Sequence, residues 1–164
     1  MFYRIKQFIW SINSKITSED MKFVEKYLNS EQIQLFNKLS TCEQKHCVNV
    51  AKDISELHES NNIKYYNELM KAALLHDIGK IECKLNVIDK SVLVILDKLF
   101  NGKLKKYKNI KKVDVYYNHA YKGYQILKKI EANKKVLHLV KNHHNNKIIN
   151  DIELNILKKY DNKN

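Results

Sequence analysis

No proline interrupts this chain of 164 residues, and glycine occurs only three times. Tight hairpins and sheet corners are built mostly from those two residues, so barrels and sandwiches are poorly served here and long helices are favoured. The spacing of apolar residues agrees. Ser18 and Ser30 read as N-caps of two short helices, carrying Met21, Val24 and Leu28, then Ile33, Phe36 and Leu39. A capping box at Ser40 with Glu43, or Thr41 with Gln44, starts a long helix to about residue 58, with Cys47, Val50, Ala51, Ile54 and Leu57 as its stripe. A further helix is expected from about Asn62 to Ile78, stopped at Gly79. Residues 91–100 (SVLVILDKLF) are apolar on every side and read as a buried helix. Helices near 114–130, 134–144 and 151–161 complete an all-α single domain. Residues 1–40 are expected to form a helical cap on residues 41–164.

The first residues, Met1 to Trp10, lack the apolar run and small-residue cleavage site of a signal peptide. Phe2, Ile5, Phe8, Ile9, Ile12 and Ile16 recur at helical spacing and predict an amphipathic helix packed on the domain, with a peripheral membrane helix as the alternative. No stretch is long enough to span a bilayer. Cys42, Cys47 and Cys83 form no CxxC pair, and their odd number fits a reducing, cytoplasmic compartment. The formal charge of +12 favours anionic partners. Arg4 is the sole arginine, which argues against sequence-specific reading of nucleic acid and leaves the charge as help for a phosphorylated small molecule. The lysine-dense Lys103 to Lys112 reads as a solvated loop after the helix-stop pair Asn101-Gly102.

The chemistry lies in which polar residues share the apolar stripes. His46 falls on a face with Val50, Asp53, Ile54 and Leu57, and His76 follows Leu69, Ala72 and Ala73 by seven, four and three. His143 follows Val136, Leu139 and Val140 in the same rhythm, and Asp161 follows Leu154 and Leu157. A single inward histidine is usually a satisfied core residue. Several, joined by inward carboxylates, are costly to bury unless a cation holds them. His58 and His138 sit among polar and lysine-rich neighbours and are expected at the surface, outside any chemistry.

The segment Ala73-Leu74-Leu75-His76-Asp77-Ile78-Gly79-Lys80 resembles the signature of the HD superfamily of metal-dependent phosphohydrolases, in its HDIG form. An earlier helical His46, His119 four residues before Gly123, His143 at a helix end and a late Asp161 occur in the order the family shows. The resemblance spans roughly residues 40–161. It implies that His46, His76, Asp77 and Asp161 hold one metal and that His119 and His143 belong to a second, with Asp77 bridging the two. His144 is implied either as a metal or phosphate contact or as a supporting neighbour. Imidazole with carboxylate and no thiolate suits Fe, Mn, Co, Ni or Zn better than Mg or Ca. Such a pair lowers the pKa of a shared water and clamps a phosphate oxygen, and Lys80 would offset the phosphate charge. The resemblance therefore implies hydrolysis of a nucleotide or dinucleotide phosphoester or phosphoanhydride. Its spacing from His143 to Asp161 is similar to bacterial members that split diadenosine tetraphosphate. Cys42, where the cyclic-dinucleotide branch has Glu, and the absence of Gly-Tyr-Pro after His143-His144 argue against cyclic-di-GMP. The alternatives are a nucleotide-sensing protein of the same family that does not cleave, and a basic helical nucleic-acid module whose histidines only pack.

Overall fold

The computed structural model describes residues 15–57, 63–83 and 87–164. The N-terminal amphipathic segment up to residue 14 and His58 lie outside the described residues. Among those described there are eight α-helices and no strand: α1 Ser18–Tyr27, α2 Ser30–Phe36, α3 Thr41–Leu57, α4 Tyr66–Leu75, α5 Val87–Leu99, α6 Lys111–Lys129, α7 Lys134–Asn142 and α8 Ile152–Lys163. Two 3-10 helices, Ile78–Glu82 and Lys103–Tyr107, lie between α4 and α5 and between α5 and α6. None of the helices is long and apolar enough to cross a membrane.

The first two caps stand one residue earlier than the serines suggest. Thr17 caps α1 and Asn29 caps α2, each in a reciprocal box with Asp20 and Gln32. Ser18 and Ser30 are the first helical residues, since an oxygen three positions before a helical N–H is what closes a box. Asp20 does a second job. It is buried, and Lys45 and Lys52 of α3 each reach it at 2.7 Å. Burial pushes its carboxyl upward, but the lysines outweigh that and hold it well below the usual range. This clamp joins α1 to α3, and Val24, Leu28, Phe36 and Leu39 enter the same core as Ile54, Leu74 and Leu139.

Ser40 caps α3, its Oγ accepting from the Glu43 N–H at 3.4 Å, while the Gln44 side chain turns back to the Phe36 and Leu39 carbonyls. Helix α4 is shorter than the periodicity suggests, starting at Tyr66 and ending at Leu75. Gly79 does not stop it by a left-handed turn; it lies inside the 3-10 helix that follows. Gly102 does take that conformation, with φ 75°, directly after α5.

The all-round apolar stretch at 91–100 is helical but not buried throughout. Leu93 is buried in a small second cluster with Leu104, Val113 and Val115, whereas Val92, Ile95, Leu99 and Phe100 face solvent. One neighbouring surface can cover only one face of a helix, whatever the sequence offers on the others. The lysine-dense segment that follows is not wholly loop, because Leu104 anchors its 3-10 helix in that cluster while the lysines stay exposed.

Candidate metal centre

The site forms where α4 gives way to the 3-10 helix. His76 and Asp77 end the α4 segment with backbone angles that turn away from helical continuation at Asp77 (φ −92°, ψ 5°). Both side chains are buried, and Nε2 of His76 lies 3.6 Å from Oδ2 of Asp77. Gly79 sets the next contact. A Cβ there would stand 2.0 Å from the His119 carbonyl oxygen and 2.6 Å from the Gly123 nitrogen, so only glycine lets the 3-10 helix meet the backbone of α6. Gly123 returns the favour against Ile78 and Val140. The close approach brings His119 to 3.5 Å from Oδ1 of Asp77.

Three histidines share one device. Nδ1 of His76, His119 and His143 each donates to the carbonyl three residues earlier: Ala73 at 2.9 Å, Tyr116 at 3.1 Å and Val140 at 2.7 Å. A neutral ring that donates through Nδ1 leaves Nε2 as a bare lone pair. Nε2 of His76 and of His143 are buried without a hydrogen-bond partner, an arrangement costing about 1–3 kcal/mol per group unless something accepts the lone pair. A divalent cation is the acceptor this donor chemistry fits.

The lone pairs gather in two groups. His46, His76 and Asp161 bring one ligating atom each within 4.8 Å of one another, and His119, His143 and His144 do the same beside them. In the first, Oδ1 of Asp161 is 3.0 Å from His46 Nε2 and 3.3 Å from His76 Nε2. In the second, Nε2 of His119 and Nε2 of His144 are 2.9 Å apart, close to the roughly 3 Å between neighbouring ligands at metal–nitrogen bonds of about 2.1 Å. Asp77 lies between the groups. Its Oδ2 faces His76, with His46 at 4.0 Å, and its Oδ1 faces His119. His144, left open by the sequence, stands with His119 and His143, and its Nδ1 is 4.0 Å from Asp161. His138 is elsewhere, half-buried and 3.1 Å from Asp151.

The profile of the family described as HD domain matches residues 44–163. The chain belongs to the HD-domain family. Comparison with curated proteins and with solved structures finds no match. HD domains are all-helical, bind divalent metals and are mostly metal-dependent hydrolases. Within the matched residues His76 and Asp77 are the adjacent His-Asp dipeptide.

The charges around the pair are arranged in opposition. Burial pushes the Asp77 carboxyl up, yet Lys80 and the surrounding imidazoles outweigh it and hold Asp77 ionised, well below its ordinary range. Asp161 is likewise held low against burial, by His76 and His46. Burial lowers His119 to about 4 and His143 well below the usual imidazole value, with nearby cations adding to both. His119 and His143 are thus neutral at physiological pH, the form that ligates.

Two residues escaped the sequence reading. Glu43, read as a capping partner, is buried with its Oε1 3.6 Å from Nζ of Lys80, which in turn lies 2.6 Å from Oδ2 of Asp77. Its signal was available: Glu43 precedes His46 by three and so shares its face. Cys47 is buried behind His76, its Sγ 3.9 Å from the ring, and forms with His76 and Asp77 a third group of ligating atoms within 4.8 Å. Burial pushes its thiol up, which keeps it protonated and a poor ligand.

Proposed function

We propose that this HD domain is a phosphohydrolase that holds two divalent transition ions and cleaves a phosphoester or phosphoanhydride bond of a nucleotide or dinucleotide. The observation that carries this reading is Asp77, whose two oxygens face two separate groups of histidines. His46, His76 and Asp161 would hold one ion; His119, His143 and His144 would hold the other; Asp77 would give an oxygen to each. Ions of the Fe, Mn, Co, Ni or Zn type bound there supply an activated water and a clamp on phosphate oxygens.

The protein's own residues prepare the rest. His76, Asp77 and His143 are the buried floor, while His144, at 53% side-chain exposure, with His46 and Lys80 marks the side open to solvent. A phosphate entering there meets the ammonium of Lys80, whose charge is secure: burial alone would lower its pKa, but Asp77 and Glu43 raise it above the ordinary lysine value. Backbone bonds to three imidazoles fix ring orientation before substrate arrives, so little reorganisation is left for the reaction.

The test is hydrolysis of mononucleotides and dinucleoside polyphosphates by the protein supplied with Mn or Fe at neutral pH. Metal-dependent release of phosphate or nucleotide, abolished by chelation, is expected. A metal-loaded protein that cleaves none of them contradicts the proposal, and one that binds them unchanged supports the sensing alternative.

A further inference from the structure

We infer that the lobe formed by α5 and the 3-10 helix after it docks this protein onto an anionic lipid surface. Val92, Ile95 and Leu99 follow one another by three and four, so they share one face of α5. That face is turned outward: Leu99 is 70% exposed and Ile95 57%, while Leu93 and Leu96 on the other side pack into the small cluster. Phe100 is exposed before the left-handed turn at Gly102, and Tyr107 and Ile110 are exposed after it. Scattered exposed apolar residues are ordinary, but several on one face beside each other mark a contact surface.

The charge around this surface selects the occupant. Residues 91–112 contain seven lysines and one acid, a formal +6, which is half the net charge of the whole chain. The acid, Asp97, accepts a hydrogen bond from Tyr117; among the described residues Lys112 pairs with Asp89 and Lys108 lies near enough to Asp114 to lower its carboxyl. Lys98, Lys103, Lys106, Lys108 and Lys111 are exposed. A second copy of this lobe would bring +6 against +6, a poor match. A nucleic acid would be attracted by the lysines but has no use for an aliphatic stripe of Val, Ile and Leu. An anionic bilayer uses both, because apolar side chains enter the headgroup boundary while lysines meet the negative surface.

The test is co-sedimentation of the full-length protein with vesicles of phosphatidylcholine alone and of phosphatidylcholine with about 30% phosphatidylglycerol at 0.1 M salt. Binding to the anionic vesicles, weakened by 0.5 M salt, is expected. Lys106→Glu with Lys108→Glu should reduce partitioning at least about tenfold, given roughly fivefold per basic residue near such a surface. Ile95→Glu with Leu99→Glu should reduce it comparably, with thermal stability and metal-dependent hydrolysis unchanged because both residues are exposed and far in sequence from the ligands. Equal sedimentation with neutral and anionic vesicles, or anionic binding indifferent to both double variants, overturns the inference. So does a dimer in sedimentation velocity that Ile95→Glu with Leu99→Glu dissociates, which would assign the face to a second copy. A fall in melting temperature of several degrees in that variant overturns it too, since the face would then be covered by the chain itself.

Discussion

Lys80 lies 2.6 Å from Asp77 and 3.6 Å from Glu43, so its ammonium stands beside the very oxygen that faces His76. Two roles are open to such a cation, holding Asp77 in place or meeting the substrate's phosphate, and they separate on substitution. As a phosphate contact, Lys80→Ala should lower turnover by about 10²–10³. Metal should be retained or bound more tightly, because a competing positive charge has left Asp77. Metal content and kcat measured on one preparation decide it; loss of metal together with activity would make Lys80 a structural clamp. At this scale helical spacing put His46, His76, His143 and Asp161 on inward faces, and the structure gathers them into two adjacent groups of ligating atoms. It left His144 open between a metal or phosphate contact and a supporting neighbour, because at the end of α7 the direction of a side chain depends on how the chain leaves the helix. Glu43 was ambiguous for another reason: the same position serves a capping box and a buried ion pair.

At the scale of elements, the site depends on how closely the 3-10 helix Ile78–Glu82 meets α6. Gly79→Ala would press a methyl group against backbone, which cannot move aside like a side-chain tip. Overpacking of this kind costs about 1–3 kcal/mol or more. Gly123→Ala would meet side-chain methyls at 3.2 Å and the Gly79 nitrogen at 3.3 Å, a milder crowding than the 2.0 Å approach at Gly79. Urea denaturation should therefore show Gly79→Ala clearly less stable than Gly123→Ala, with metal binding weakened in Gly79→Ala alone since His119 must shift. Equal stabilities would mean that the backbone contact does not set the spacing. This contact explains why the helix-stop reading of Gly79 failed: sequence patterns report local backbone preference, whereas the need here comes from a helix forty residues later. The extent of α5's burial was illegible for a related reason. An all-round apolar run does not say how many faces will find partners.

For the whole molecule, the buried imidazoles couple folding to pH. His119 is pushed down to about 4 by burial and by Lys80, and burial also lowers His143 and His144. Unfolded, these rings titrate near 6.5, so between about pH 6.5 and 4 the unfolded chain holds more protons and stability falls as the pH falls. His76 acts in the other direction. Burial opposes its charge, but in the metal-free protein Asp77 and Asp161 raise it well above the ordinary value, and a proton then stands on Nε2 where an ion would displace it; its contribution is complete below pH 6.5 and lost only as pH rises through its folded pKa. The melting temperature of chelator-treated protein should drop steadily from pH 6.5 to 4.5. A flat profile there would contradict neutral, buried rings at His119 and His143.

The central claim is that one carboxylate joins two ions, and metal stoichiometry tests it most directly. Protein purified with Mn or Fe supplied should carry two equivalents of metal by elemental analysis. Asp77→Ala should lose both ions and all turnover, because its Oδ2 is 3.6 Å from His76 and its Oδ1 3.5 Å from His119, whereas Asp161, close to the first group, reaches the second only at 4.0 Å from His144. Two equivalents retained in Asp77→Ala, or a wild-type protein that binds no metal at all, would contradict it.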